Sequence, residues 1–161
     1  MISVGPGRTF QDTGVIVPMP VKTGDRVNYV KYGGTELTYN GSKHKLISDN
    51  DIVCKFTGDE LTMENAEMVF DNVLVKVEEK EDDESTGGIL LAKTSKGRVT
   101  KPSTGEVVKV GPGKTAINGA KMEMVVKVGD FIKFRDFAGE KVNIEGRDYS
   151  AVRMVDILAR F

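Results

Sequence analysis

Side chains able to carry out chemistry are scarce in this chain. Its 161 residues contain one histidine, His44, and one cysteine, Cys54. A nucleophile–base arrangement on Cys or His would have to use that single pair, and nothing in the sequence supports it. His44 has no second His and no nearby Cys at a metal-ligand spacing, so it reads as a solvated strand or loop residue. One cysteine excludes an internal disulfide framework and a Cys-based zinc site. Cys54 sits among alternating apolar neighbours in Ile52-Val53-Cys54-Lys55-Phe56 and reads as a packed residue, not a reactive thiol. Gly113-Lys114-Thr115 ends like a phosphate-binding loop, but that motif needs a glycine five residues before the second one. Position 108 is valine, and Asn118-Gly119 follows where a helix should begin. The backbone cradle and the helix N-terminus are both missing. The acidic run 78–84 (EEKEDDE) could attract a cation, yet it lacks the glycine-punctuated spacing of a calcium loop. It reads as a solvated, self-repelling segment. We therefore expect no catalytic residue, no metal site and no cofactor site.

With 23 basic and 24 acidic residues the net charge is −1, so the basic footprint of a nucleic-acid binder is absent. No run of 18 apolar residues offers a membrane span. The first twenty residues do not read as a secretory signal, and no transit peptide is visible. Low cysteine usage fits a reducing compartment. Twenty-one Val, nine Ile and twelve Thr, with 18 Gly and no Trp, make a β-protein composition. Apolar residues alternate at Val73, Val75 and Val77, at Met122, Met124, Val126 and Val128, at Val142 and Ile144, and at Ile157, Ala159 and Phe161. Period two predicts half-buried strands there. Asn40-Gly41, Asn118-Gly119, Gly129-Asp130 and Glu145-Gly146 supply turns between them. Many short strands with regular turns predict a small barrel or sandwich. The one helical candidate is a weak turn near residues 62–68.

The chain repeats itself. ISVGPG (2–7) lies over VKVGPG (108–113), and VKTGDRV (21–27) over VKVGDFI (126–132). YGGTELTYNG (32–41) lies over FAGEKVNIEG (137–146), and NDIVCKF (50–56) over VDILARF (155–161). The offset is 106 at the first block and 105 afterwards. Four blocks in one order mean two copies of a single β-module. The second copy also has residues 71–105, which the first lacks because Met1 falls inside an early strand.

Nearly thirty residues separate the strands expected at 72–77 and 106–110. The stretch 81–104 is rich in Asp, Glu, Lys, Ser, Thr and Gly, and structureless loops of this length are usually functional or disordered. Inside it stands Gly87-Gly88-Ile89-Leu90-Leu91. These residues fit either a short buried strand or an anchor for a partner groove, ordered on binding. The glycine pair favours the anchor, since it adds freedom that a buried strand does not need. Burying three such side chains is worth roughly 5–9 kcal/mol gross. Ordering the segment takes back about 2–5 kcal/mol. A single loop then binds at around millimolar strength, which is useful where several act together. The anchor reading therefore also predicts a multivalent protein, most simply a ring.

Asp71-Asn72-Val73-Leu74-Val75-Lys76-Val77, Gly87 to Leu91, Gly105-Glu106-Val107-Val108-Lys109-Val110-Gly111-Pro112-Gly113, Val128-Gly129-Asp130 and Asp156-Ile157-Leu158-Ala159 together resemble the 10-kDa co-chaperonin (GroES-type) family. The likeness covers 71–161 and, less closely, 2–56, in the tandem arrangement of the family's plastid members. It implies an all-β chain of two tandem small irregular β-barrels. Residues 1–57 would be a partial first module lacking its opening strand and mobile loop, 58–70 a linker, and 71–161 a complete second module. It implies a non-enzymatic cap for the ring of a 60-kDa chaperonin, which itself binds and hydrolyses ATP, the cap having no cofactor. Gly87, Gly88, Ile89, Leu90 and Leu91 would be the mobile loop that docks on the chaperonin apical domain. Residues 114–121, and 8–13 in the first copy, would be hairpins over a dome roof. Unfolded client proteins, a ring-forming oligomer mixed with single-module co-chaperonins, and the chloroplast stroma (with the mitochondrial matrix as alternative) complete what it implies, with no nucleic acid and no membrane as partner. Asn72 stands where the family has Arg beside the Asp. A barrel missing a strand exposes an unpaired edge and an apolar face, which predicts poorer solubility or reliance on a neighbouring subunit. The chief rival is a tandem β-barrel module binding a small ligand or single-stranded nucleic acid, which needs a basic groove with exposed aromatics, and aromatics make up only 7% of the chain. A small enzyme is disfavoured by the missing acid–base and metal clusters.

Overall fold

The alternating apolar pattern becomes a set of short antiparallel strands in a computed structural model, which describes residues 1–77, 103–135 and 138–161. The first copy contains β1 (Arg8–Thr9), β2 (Ile16–Val17), β3 (Arg26–Tyr29), β4 (Thr35–Tyr39), β5 (Ser42–Leu46) and β6 (Ile52–Phe56). β7 (Glu67–Met68) follows. The second copy contains β8 (Asn72–Val77), β9 (Ser103–Val110), β10 (Phe131–Phe134), β11 (Glu140–Ile144), β12 (Arg147–Arg153) and β13 (Ile157–Arg160). Short 3₁₀ turns, Asp49–Asp51 and Met154–Asp156, precede β6 and β13.

In the second copy six strands pair in the order β11-β12-β8-β9-β10-β13. Val152 of β12 and Ile157 of β13 belong to one apolar cluster with Val73, Val75, Val107, Val126, Ile132 and Phe134, although three strands separate them in the sheet. The sheet therefore curls around its own core, as a small barrel does. Alternation explains the burial: Val73 and Val75 face this core, while Leu74 points to the other side.

The first copy repeats this plan with parts missing. Its strands begin 105 residues before β10, β11, β12 and β13, and so do its 3₁₀ turn and its turn aspartate. The Lys22 amide donates to the Asp25 carboxylate at 2.9 Å, and the Lys127 amide donates to Asp130 at 2.8 Å. Asn40-Gly41 and Glu145-Gly146 are hairpin turns with positive φ at both residues. Met1 stands where Val107 stands. Its amino group donates to the Asp25 carbonyl and its carbonyl accepts from Gly24 at 2.9 Å. Val107 does the same with Asp130 (2.9 Å) and Gly129 (2.8 Å). Among the described residues the first copy has no counterpart of β8. Its β4–β5 hairpin consequently forms a sheet of two strands only.

Two expectations change. Residues 122–128 form no strand, although Met124 and Val126 pack on the core as the alternation requires. Both edges of β9 are already paired, to β8 and β10, and the stretch is instead tied to β13 by a side chain, the Arg160 guanidinium donating to the Val125 carbonyl at 2.6 Å. The turn at 62–68 is helical only at its start. The Ala66 amide donates to the Thr62 carbonyl at 3.1 Å, and the amides of Thr62 and Asn65 bond each other's side chains. The chain then extends as β7, because β6 offers a free edge (Cys54↔Met68, Lys55↔Glu67). The segment 58–70 thus carries a strand, and it buries Ala66, Met68, Val69 and Phe70.

Candidate functional site

Gly87, Gly88, Ile89, Leu90 and Leu91 lie outside the described residues. Their framework is described. β8 ends at Val77, β9 begins at Ser103, and Val77 stands opposite Gly105 in the antiparallel register. The intervening chain therefore leaves and re-enters at neighbouring points of one strand pair. The approach there is close: a Cβ on Gly105 would lie 2.5 Å from the Lys76 carbonyl oxygen.

At the far end of the same strands a hairpin rises over residues 114–121. It is held by the Thr115↔Lys121 bridge and by the Met122 amide donating to the Lys114 carbonyl at 2.8 Å. Its counterpart is the β1–β2 hairpin, and the two tips meet where the Thr13 hydroxyl donates to the Ile117 carbonyl at 2.7 Å. Lys114 ties the second hairpin to its barrel. Its ammonium lies 3.0 Å from the Asp71 carboxylate, which is buried at the start of β8. Asn72 fills its own position differently, donating to the carbonyls of Val69 (2.7 Å) and Ile52 (3.3 Å). Sequence reading missed the Asp71–Lys114 pair, whose partners stand 43 residues apart; the only signal was an Asp and a Lys at opposite ends of the segment.

The two copies are joined through a buried apolar cluster. Val53 and Cys54 of β6, with Ala66 and Met68, pack against Leu74, Val142, Ile144 and Ala151 of the second copy. Antiparallel pairing of β6 with β7 reinforces the packing, and the Val69 amide donates to the Val53 carbonyl at 3.1 Å. Both halves of this joint recur, unoccupied by the chain, at its two ends. Val53 is 3% exposed, and Leu158, 105 residues later, is 51% exposed. Ile144 and Ala151 are 1% and 5% exposed, while Tyr39 and Leu46, 105 residues earlier, are 64% and 66% exposed. Tyr39 and Leu46 thus stand exposed on a hairpin in which β5 pairs with β4 alone.

Cys54 belongs to this joint. Burial pushes its thiol up to about 11, so it stays protonated at neutral pH and acts as a packing group. His44 is half-buried on β5, with Nδ1 2.9 Å from the Ser42 carbonyl and its ring edge-on to Tyr39. A cleft of about 650 Å³ runs beside the joint, past Met19, Met68, Phe70 and Pro112. Lys55 at its wall is paired with Glu67 at 3.2 Å, and the Lys109 ammonium donates to the Ala66 carbonyl at 2.7 Å.

The family described as the chaperonin 10 kDa subunit matches residues 1–56 and 65–161, on both sides of the turn that leads into β7. The chain belongs to this family. The co-chaperonin GroES of Ligilactobacillus salivarius is 44% identical over 89 residues, which is 55% of this chain and 90% of that protein. The chloroplastic 20 kDa chaperonin of Spinacia oleracea is 34% identical over 160 residues, or 99% of this chain, and that of Arabidopsis thaliana 32%. The chain spans 60% of the length of each of these two. Chaperonin 10 membership accounts for the all-β, two-copy architecture described above. It also places Asp71 and Gly105, which the structure shows fixing the ends of β8 and β9, inside a matched segment.

Proposed function

We propose that this chain is a co-chaperonin, a non-enzymatic cap that closes the ring of a 60-kDa chaperonin during its ATP cycle and helps enclose an unfolded client. The observation that carries this reading is the family match across both copies. The modules are 1–57 and 71–161, joined through 58–70. Gly87, Gly88, Ile89, Leu90 and Leu91 form the docking loop, the glycines giving reach and the three apolar side chains the contact. The cap holds no cofactor, and ATP is bound and hydrolysed by the chaperonin. The names of the chloroplastic relatives support a plastid stroma location.

Assembly into a ring is supported by the joint between the copies. A head-to-tail joint can repeat, because each unit presents one half at either end, and it makes a ring where its rotation closes. Here the β13 end, with Leu158 and Phe161, corresponds to β6 in the joint, and the β4–β5 face corresponds to β11–β12. Both are exposed. A second chain, or a single-module co-chaperonin, would dock there as the second copy docks on the first. Replacing Ile89, Leu90 and Leu91 together by Ser tests the loop. We expect chaperonin association to be lost with the circular dichroism spectrum unchanged. Retained association would overturn the assignment of the loop.

A further inference from the structure

Asparagine followed by glycine can change chemically without an enzyme. The backbone nitrogen of the following residue attacks the asparagine side-chain carbonyl, and glycine, having no side chain, leaves that approach open. Two asparagines of this chain precede glycine, in Asn40-Gly41 and Asn118-Gly119. Both pairs stand at exposed hairpin tips, so exposure does not distinguish them. Hydrogen bonding does. In the second pair the Gly119 amide, which would be the nucleophile, donates to the Ala116 carbonyl at 2.9 Å. The Asn118 side-chain oxygen accepts from the Ala120 amide at 3.0 Å, and the Ala116 amide closes the turn on the Ala120 carbonyl at 2.8 Å. Val15 of the first copy covers this turn, its side chain 3.6 Å from where a Cβ of Gly119 would stand. The first pair is the two-residue loop between Tyr39 and Ser42, with φ of +48° at Asn40 and +74° at Gly41. Such a loop is closed by its flanking residues and leaves its central groups out of the ladder. Among the described residues, neither the Asn40 side chain nor the Gly41 amide has a hydrogen-bond partner, and nothing lies within 4 Å of a Cβ on Gly41.

We propose that Asn40 is a site of spontaneous modification in the folded protein, where the side-chain amide is exchanged for a carboxylate, and that the fold holds Asn118 unreactive. Water is the only co-reactant. The Gly41 nitrogen, having lost its proton to base, bonds to Cγ of Asn40. The Cγ–Nδ2 bond then breaks, and the nitrogen leaves as ammonia. Water opens the resulting five-membered imide at either of its carbonyls. Opening at Cγ gives aspartate at position 40, and opening at the backbone carbonyl gives an isoaspartyl link, in which the chain runs through the side chain. Either product carries one more negative charge than asparagine. The second copy shows which of them its hairpin tolerates. Glu145 stands 105 residues later, with φ of +53°, so a carboxylate on a normal backbone fits this turn. The isoaspartyl link adds a backbone carbon to a loop that the Tyr39↔Ser42 register holds at two residues, and it loosens the hairpin. Glu145 and Gly146 remain exposed although β11 and β12 pack into the joint. The corresponding tip at Asn40-Gly41 is therefore open to water whether or not a neighbour covers the β4–β5 face, and the inference requires neither the chaperonin nor the ring.

The test incubates the full-length protein in mildly alkaline buffer and follows its proteolytic peptides by mass spectrometry. The peptide containing residue 40 is expected to gain about 1 Da, as two products that elute apart. Its rate should exceed that of the peptide containing residue 118 at least about tenfold, since a hydrogen-bonded amide reacts only when its turn opens. The same incubation in urea removes the turns, and the two pairs should then react within about twofold of each other. Amide exchange at residues 42–46 should be faster in the isoaspartyl product than in the Asn40→Asp variant, which keeps the normal backbone. An Asn40 that reacts only in urea, or rates at the two sites that are no further apart in the folded protein than in urea, would overturn the proposal.

Discussion

Asp71 and Lys114 show how a single ion pair connects two parts of the second module. The Asp71 carboxylate is buried at the foot of β8, and the Lys114 ammonium reaches it from the base of the hairpin. Removing the cation leaves an uncompensated buried charge, and such losses are costly. Lys114→Ala is expected to lower stability by about 1–2 kcal/mol, between the values for exposed and buried pairs because Lys114 is partly solvated, measured by urea denaturation, while Asp71→Asn in the same background should restore part of it. This pair was not legible in the sequence. Both residues were visible, but Lys114 stood in a Gly-Lys-Thr triplet that invited a comparison with phosphate binding, and nothing local linked it to Asp71. Cys54 was legible: its apolar neighbours in a period-two run pointed to burial, and it lies at the joint between the copies.

At the scale of elements, β-propensity alone did not decide which segments became strands. Residues 122–128 alternate as well as β8 does, yet they join no ladder. The AEMV stretch at 66–69 carries a weak helical signal, yet it extends along β6 because that edge was open. Sequence patterns report which face of a segment is apolar; they do not report which edges other strands have already taken. Turns were more legible, because positive φ restricts residue type locally. Gly113 combines both effects, with φ of +91° and a Cβ position 2.1 Å from the Met122 carbonyl oxygen. Gly113→Ala should open the 114–121 hairpin and cost about 2–4 kcal/mol, seen as a lowered thermal midpoint together with faster amide exchange at Met122.

On the scale of the whole molecule, the internal repeat is the most informative feature of the sequence. It marked the two copies; it also put Met1 within a strand, whereas residues 1–7 form none, although Met1 makes the backbone hydrogen bonds that Val107 makes. What the repeat could not show is that the packing of one copy on the other leaves matching surfaces open at both ends of the chain. Those surfaces give a direct expectation for assembly. Leu158→Asp at one end, or Tyr39→Asp at the other, should each weaken self-association at least about tenfold in sedimentation velocity, without loss of folded structure, because both side chains are exposed. The central claim, that this chain caps a chaperonin, is tested most directly by gel filtration with a purified 60-kDa chaperonin in the presence and absence of ATP. We expect co-elution that requires the nucleotide. Elution of the chain apart from the chaperonin under both conditions would contradict the claim.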